Sequence, residues 1–163
     1  MTKGNYTEVE SVIVEYCIAK VCSILGVGVA VGSPDHQFDL LCYEDCIEFF
    51  MEKGTPLSNR IFTRTEVEDI EDQLKHCLKV MHAFGLVHKD IKPDNILVDS
   101  KGTVLLADFG ISTYVAEQPG QKSLTYKEGT YMFMSPELDS IKGSDVGKAD
   151  LFYNDVWGLK CSI

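Results

Sequence analysis

Two short polar segments of the chain carry residue types suited to metal and phosphate chemistry. The first reads His-Lys-Asp-Ile-Lys-Pro-Asp-Asn over residues 88–95, and the second reads Asp-Phe-Gly over residues 108–110. Carboxylate and amide oxygens suit Mg2+, which usually takes one or two protein oxygens together with substrate phosphates. A neighbouring lysine can stabilise charge on a phosphoryl group, and a further carboxylate can accept a hydroxyl proton. The residue types therefore indicate magnesium-dependent phosphate chemistry if the two segments meet.

The sequence between the two segments predicts a hairpin that brings them together. Residues 96–98 and 103–107 are rich in apolar, β-forming side chains, and Asp-Ser-Lys-Gly separates them. A hairpin returns the chain to the edge from which it started. We therefore expect the first loop to lie beside the second, with two acids and an amide facing one point.

These segments resemble the signature motifs of protein kinases. Residues 88–95 resemble the catalytic loop H-R-D-x-x-x-x-N, and residues 108–110 are the D-F-G that follows it. Residues 129–137 are similar to the end of an activation segment, with Ser135 where alanine is usual. Residues 155–157 are similar to the start of the long helix under the catalytic loop. Four motifs in the family's order make the resemblance specific, whereas one D-F-G would carry almost no weight.

The resemblance implies transfer of the γ-phosphoryl group of ATP to a hydroxyl of a protein substrate. It implies that Asp90 orients that hydroxyl and accepts its proton, and that Lys92 stabilises charge on the moving group. Asn95 and Asp108 would hold Mg2+ on the phosphates, and the hydroxyl of Thr130 would bond to Asp90 and Lys92. A lysine two residues after the catalytic aspartate is typical of serine/threonine kinases rather than tyrosine kinases.

The resemblance also places the adenine site. Met51, Glu52 and Lys53, followed by Gly54, lie where kinases have the hinge between their lobes, with Met51 lining the back of the pocket. Adenine binds hinge backbone groups in this family, so side-chain identity says little there. Leu97 would form the apolar floor under the ring.

Periodicity along the chain predicts an α+β fold. A helix is predicted over residues 8–25, ended by glycine, and a second over residues 65–84, beginning at a Thr-x-x-Glu signal at Thr65. Two short apolar runs at residues 38–43 and 47–51 predict an antiparallel pair of strands. The glycines at positions 26, 28 and 32 have the wrong spacing for a nucleotide loop, and we interpret them as a helix cap followed by a buried strand or loop.

The resemblance covers nearly the whole chain but only the middle of a kinase domain. Residues 1–53 would be a remnant of the small lobe, a helix plus two or more strands, and residues 54–163 the first part of a mainly helical large lobe. In a complete kinase, a glutamate of the small-lobe helix pairs with a strand lysine. Glu15 is the better candidate here, and Glu10 is the rival.

Several departures from the family pattern bear on activity. Lys89 stands where most members have arginine, so the planar fork that grips an activation-loop phosphate is lost. Ser123 and Thr125 are nevertheless candidate phosphorylation sites. Lys160 stands where glycine is usual, and Glu137 lacks the arginine that ordinarily pairs with it. Neither G-x-G-x-x-G-x-V nor the V-A-I-K lysine precedes the catalytic loop.

These departures leave two functional classes open. The chain is either a serine/threonine kinase catalytic segment, truncated at both ends, or an inactive kinase-like remnant that binds or scaffolds partners. The complete catalytic set favours descent from a working enzyme. The glycine-rich loop that would cover the phosphates is missing, so we expect poor transfer or none from these 163 residues alone.

Composition restricts the partners. The 163 residues carry 15 basic and 25 acidic side chains, a net charge of −10, which argues against nucleic acid or an anionic membrane. The uncharged run at residues 21–34 is too short to span a bilayer. Six scattered cysteines without a nearby histidine pair indicate free thiols rather than zinc, so we expect a cytoplasmic protein. The oligomeric state stays open.

Overall fold

The structure, a computed structural model, has an α+β architecture of helices and small antiparallel sheets. It describes residues 8–30, 40–42, 47–49, 51, 53–115, 127–141 and 146–163. The α-helices are α1 (Glu8–Ile24), α2 (Arg64–Ala83), α3 (Pro136–Ser140) and α4 (Lys148–Ser162), and short 3-10 helices lie at Leu57–Asn59, Pro93–Asn95 and Tyr131–Phe133. The strands are β1 (Leu40–Cys42), β2 (Ile47–Phe49), β3 (Thr55–Pro56), β4 (Leu86–Val87), β5 (Ile96–Val98), β6 (Val104–Leu106) and β7 (Thr113–Tyr114).

The predicted hairpin is confirmed. Strands β5 and β6 pair antiparallel, with Leu97 opposite Leu105, and β3 adds a third strand on the other edge of β5. The carboxylate of Asp99 accepts hydrogen bonds from the backbone N–H groups of Lys101 and Thr103, at 2.7 and 2.8 Å. These bonds close the turn, so the two strand ends that carry the polar loops lie side by side.

The predicted pair of short strands is also confirmed, since β1 and β2 pair antiparallel. The segment after α1 behaves as expected from its glycines. Gly26 adopts a φ of +80°, which suits a helix C-terminus. The following residues run parallel to β6, where the N–H of Leu106 donates to the carbonyl of Gly28 at 2.8 Å. The segment up to Ala30 therefore packs beside β6 as a strand would. Gly32 lies outside the described residues.

Helix α2 matches the predicted helix, but its N-terminal cap lies at Thr63, two residues before the predicted Thr65. The cap is Thr63: its hydroxyl accepts from the N–H of Glu66 at 3.4 Å, and the carboxylate of Glu66 accepts from the N–H of Thr63 at 2.8 Å. Thr-x-x-Glu occurs in two overlapping registers here, beginning at Thr63 and at Thr65. In the register that begins at Thr63, the carboxylate of Glu66 also accepts a hydrogen bond from the guanidinium of Arg60 at 2.5 Å.

The main core forms where α2 packs between α1, the β5–β6 hairpin and α4. It contains the buried side chains of Leu74 and Met81 from α2 and of Leu106 from β6. The thiols of Cys22 in α1 and Cys77 in α2 are buried here, and burial raises the pKa of Cys22 to about 12. Cys17, Cys22, Cys77 and Cys161 are free thiols. No helix in the described part of the chain has the length and hydrophobicity needed to cross a bilayer.

Helix α4 corrects two further predictions. It begins at Lys148 rather than near Asp155, and the carboxylate of Asp150 accepts from the N–H of Gly147 at 3.1 Å at its start. Asp155 therefore lies in the interior of the helix. The residue that permits close packing is Gly158, where a Cβ would lie 2.6 Å from the carbonyl oxygen of Ile91. Lys160, expected to disturb this packing, is exposed to solvent.

Candidate active site

The loop at residues 88–95 is held by one buried carboxylate of α4. Asp155 has no exposed surface, and its two oxygens accept from the backbone N–H groups of His88 at 2.9 Å and Lys89 at 2.8 Å. The ring of His82 lies 2.9 Å from the same carboxylate and stacks on Phe152 at 4.6 Å. His82 lies in the last turn of α2, and through this contact it supports the loop.

His88 joins the two polar loops. It is fully buried, its Nε2 lies 3.1 Å from the carbonyl oxygen of Ala107, and its Nδ1 lies 3.3 Å from the N–H of Asp90. Burial lowers the pKa of His88, so the ring is neutral, with Nε2 donating and Nδ1 accepting. The N–H of Ala107 also donates to the carbonyl of Asn95 at 3.0 Å. The hairpin ends thus meet as predicted, and they are joined by His88, for which the sequence pattern predicts no role.

The four residues predicted to be catalytic lie in one hydrogen-bonded cluster. One oxygen of Asp90 accepts from Lys92 Nζ at 2.7 Å and from Asn95 Nδ2 at 3.1 Å. The other accepts from the backbone N–H of Thr130 at 2.8 Å. Lys92 Nζ also donates to the hydroxyl of Thr130 at 2.9 Å. Residues 38 to 40 positions apart in the chain therefore meet around one carboxylate.

The environment of Asp90 keeps it ionised. Burial acts to raise the pKa of this carboxyl, but the hydrogen bonds from Lys92 and Thr130 outweigh burial and hold the pKa below its ordinary value. At neutral pH the side chain is an acceptor with no proton of its own. It can receive a hydrogen bond from a hydroxyl group, as the predicted role requires.

Asp108 lies at the second loop in a strained, exposed position. Its φ is +59°, in the left-handed region, and its carboxylate makes one long bond of 3.4 Å with the N–H of Gly110. The carboxylate of Glu15 from α1 approaches the same loop, with its Oε2 3.7 Å from the position that a Cβ on Gly110 would occupy. Burial chiefly, and the charge of Asp108 in addition, raise the pKa of Glu15. Of the two candidate glutamates, Glu15 reaches the D-F-G segment, whereas Glu10 is exposed.

The donors expected to bind Mg2+ fit that ion. The side-chain hydrogen bonds of Asn95 use Nδ2, which leaves its amide oxygen available, and the Asp108 carboxylate is exposed. The described residues contain no group of three or more His, Cys, Asp or Glu side chains placed to hold a metal ion. One amide and one carboxylate suit Mg2+ that takes its remaining ligands from phosphates and water.

Of the predicted adenine site, the structure describes Leu97, Met51 and Lys53, and it places Gly54, the residue after the hinge, against Leu97. Leu97 is half-buried against Ala30, Leu105 and Ala107, and Gly54 packs on it so closely that a Cβ there would lie 2.7 Å from Leu97 Cβ. Met51 and Lys53 are exposed. Three of the predicted functional residues, Glu52, Ser123 and Thr125, lie outside the described residues.

Comparison with known proteins decides the family. The sequence model of the family described as protein kinase domain matches residues 36–163, well over half of the chain. The chain belongs to the protein kinase family. It is 35% identical over 124 residues to CBL-interacting serine/threonine-protein kinase 18 of Arabidopsis thaliana, covering 72% of this chain and 24% of that protein.

Other similarities agree with this assignment. Mitogen-activated protein kinase kinase 10 of Arabidopsis thaliana is 31% identical over 137 residues, covering 77% of this chain and 43% of that protein. The crystal structure of the yeast RNA Pol II CTD kinase CTDK-1 complex contains a chain that superposes with a TM-score of 0.74 at 17% identity. That match covers 98% of this chain and 50% of the solved chain, and it shows the fold. This kinase-family chain thus spans less than half the length of both curated relatives.

The Glu15–Asp108 pair of this kinase-family chain predicts a pH effect on stability. Because the folded-state pKa of Glu15 is raised, protonated Glu15 favours the fold at low pH, and this contribution is lost as pH rises through the folded-state pKa. We expect Glu15→Gln to be more stable than wild type at pH 7, with the difference vanishing below the ordinary glutamate pKa. Urea unfolding at both pH values measures it, with Glu68→Gln as the exposed control. A difference that is the same at both pH values would contradict the prediction.

Proposed function

We propose that this chain performs the chemistry of a serine/threonine protein kinase, Mg2+-dependent transfer of the ATP γ-phosphoryl group to a hydroxyl of a protein substrate. The observation that carries the proposal is the cluster around Asp90. An ionised carboxylate, a lysine ammonium and an amide meet beside the D-F-G loop, and Thr130 of a distant segment completes them. Family membership alone would not decide whether the site can catalyse phosphoryl transfer.

Each member of the cluster has a role that follows from its contacts. Asp90, held ionised, accepts a hydrogen bond from the substrate hydroxyl and aligns its oxygen for attack. Lys92 already contacts both Asp90 and Thr130, so its ammonium is fixed where charge on the transferred group needs stabilising. The N–H of Thr130 fixes the other Asp90 oxygen, which leaves the carboxylate little freedom to rotate.

The nucleotide would be held from both loops. Asn95 and Asp108 would ligate Mg2+, which supplies charge neutralisation at the phosphates when bound. Met51, Glu52 and Lys53 would bind adenine through their backbone, over Leu97. This arrangement assigns residues 1–53 to a small lobe and residues 54–163 to a large lobe, with the nucleotide between them.

The preference for serine and threonine over tyrosine rests on Lys92 and on the relatives. A lysine two residues after the catalytic aspartate is typical of serine/threonine kinases. A similar protein of Arabidopsis thaliana also carries the serine/threonine description in its name.

A second candidate function is binding without transfer, and one observation favours it. In the described part of the chain, no lysine or arginine forms an ion pair with Glu15 or Asp108. Two carboxylates that face each other without a cation disfavour an approaching triphosphate. In that case the chain would present its surface to partner proteins and transfer no phosphate.

An assay with radiolabelled ATP separates the two candidates. We expect the purified chain, at high concentration and with a serine- and threonine-containing protein substrate, to incorporate label slowly in Mg2+ and at background in excess EDTA. Phosphoamino-acid analysis should give phosphoserine or phosphothreonine. Incorporation that is insensitive to EDTA, or label only on tyrosine, would contradict the proposed function. Background incorporation in Mg2+ would favour the binding module.

A further inference from the structure

A buried ammonium lies directly behind the catalytic cluster and has a carboxylate partner. The Lys89 side chain is 3% exposed, and its Nζ lies 2.6 Å from Oε2 of Glu128, whose side chain is 46% exposed. Lys89 is also backbone-anchored, since its N–H donates to Asp155 and its φ is +75°. A buried ammonium is costly unless an anion neutralises it, and Glu128 supplies that anion from 39 positions along the chain.

The contact fixes the path of the chain immediately before Thr130. Between Glu128 and Thr130 stands Gly129, at a φ of +126°, where a Cβ would lie 2.6 Å from the carbonyl oxygen of Lys89. The backbone therefore crosses Lys89 at a separation that only glycine permits. One residue later the N–H of Thr130 meets the carboxylate of Asp90. The Lys89–Glu128 pair and the Asp90–Thr130 bond therefore connect the same two segments of the chain at neighbouring positions.

A second ion pair of opposite polarity supports the same stretch. Lys127 Nζ donates to the carbonyl oxygen of Asp139 at 2.6 Å and to its carboxylate at 2.5 Å. Asp139 belongs to α3, so adjacent residues 127 and 128 tie the segment to two different elements. Both ties are made between groups of the chain itself.

We propose that Glu128 is a positioning residue: a carboxylate built into the chain that neutralises Lys89, docks the end of the activation segment without phosphorylation and so sets Thr130 on Asp90 and Lys92. The catalytic consequence rests on the proposed function, whereas the docking does not. Lys89, which replaces the usual arginine, then suits Glu128 as its partner. A single carboxylate neutralises an ammonium, and the planar geometry of a guanidinium is not needed.

Hydrogen exchange tests the docking without any activity measurement. The full chain is treated with phosphatase, and intact mass confirms that it carries no phosphate. We expect the Thr130 amide to be protected in this form. Glu128→Gln should speed exchange of that amide at least about tenfold, since the buried ammonium loses its partner. Glu128→Asp, which keeps the charge, should restore part of the protection, and Glu68→Gln, which breaks the exposed pair with Arg64, should change nothing.

Three outcomes would overturn the proposal. They are unchanged Thr130 protection in Glu128→Gln, equal loss in Glu68→Gln, and an unprotected amide in the phosphate-free wild type. If Glu128→Gln fails to fold by circular dichroism, Lys89→Met combined with Glu128→Gln decides, because it leaves no buried charge unpaired; it too should expose Thr130, and protection equal to wild type would refute the docking.

A transfer assay on the same proteins separates this inference from the proposed function. If wild type transfers phosphate, Glu128→Gln should lower kcat about tenfold or more and leave the KM for ATP unchanged. If no variant transfers phosphate, the proposed function fails while the exchange result still decides whether Glu128 docks the segment.

Discussion

Asp155→Ala is expected to lower the free energy of unfolding by about 3–5 kcal/mol, the largest stability effect that we predict for a single substitution. The carboxylate is fully buried and accepts three hydrogen bonds, from the N–H groups of His88 and Lys89 and from the ring of His82. Alanine would leave two backbone donors buried without an acceptor and would open a cavity behind the loop. Both effects destabilise the fold in the same direction.

Urea unfolding followed by circular dichroism measures this effect. Asp72→Ala is the matched control, because the Asp72 side chain is 81% exposed and makes one 3.5 Å contact with Lys75; it should change stability by less than about 0.5 kcal/mol. Asp155→Asn, which keeps one acceptor oxygen, should fall between the two and serves if the alanine variant does not fold. A loss below about 1 kcal/mol for Asp155→Ala would show that the loop does not depend on α4.

Asp90→Asn is expected to reduce phosphoryl transfer at least about 100-fold, the range in which positioned proton acceptors contribute. An amide cannot take the hydroxyl proton. Its NH2 group would also replace a carboxylate oxygen among groups that donate to Asp90, namely Lys92 Nζ and the N–H of Thr130. The substitution therefore removes the acceptor and disturbs the cluster that fixes it.

Single-turnover transfer with the chain in excess over labelled ATP is the sensitive measurement, and Asp72→Asn is the control expected to keep wild-type rates. Circular dichroism should show that Asp90→Asn remains folded. Equal rates for wild type and Asp90→Asn would mean that Asp90 is not the proton acceptor. No transfer by either protein, with nucleotide still bound, would favour the binding module.

The parts of the fold that could be predicted from sequence are those fixed by local pattern. The β5–β6 hairpin follows from two apolar runs around an Asp-containing turn, and α2 from its three- and four-residue periodicity. The family motifs supplied the members of the cluster. The hairpin then explains why Asp90 and Asp108 belong to neighbouring loops.

The features that the sequence does not predict depend on tertiary contacts. Two overlapping Thr-x-x-Glu registers are equivalent in sequence, and the one at Thr63 is the one in which Arg60 reaches Glu66. The support of the loop by His82 and Asp155 joins residues 73 positions apart, and no local pattern predicts such a pair.

Backbone strain was likewise not predictable. Lys89 and Asp108 both adopt positive φ, one in each polar loop, although neither is glycine. Their surroundings hold them there: Asp155 bonds the N–H of Lys89, and the ring of Phe109, next to Asp108, packs on His88 at 4.9 Å. Strain of this kind is concentrated at functional sites and needs the surrounding structure to maintain it.

Paramagnetic broadening by Mn2+ tests most directly the central claim that the two loops share one metal–nucleotide complex. Mn2+ replaces Mg2+ in the presence of ADP, and spectra of the 15N-labelled chain are compared with those in ADP alone. We expect the side-chain amide of Asn95 and the backbone amides of Phe109 and Gly110 to broaden together, while the exposed turn at Lys101 stays sharp. Broadening at one loop without the other, or at neither loop with nucleotide bound, would contradict a shared site.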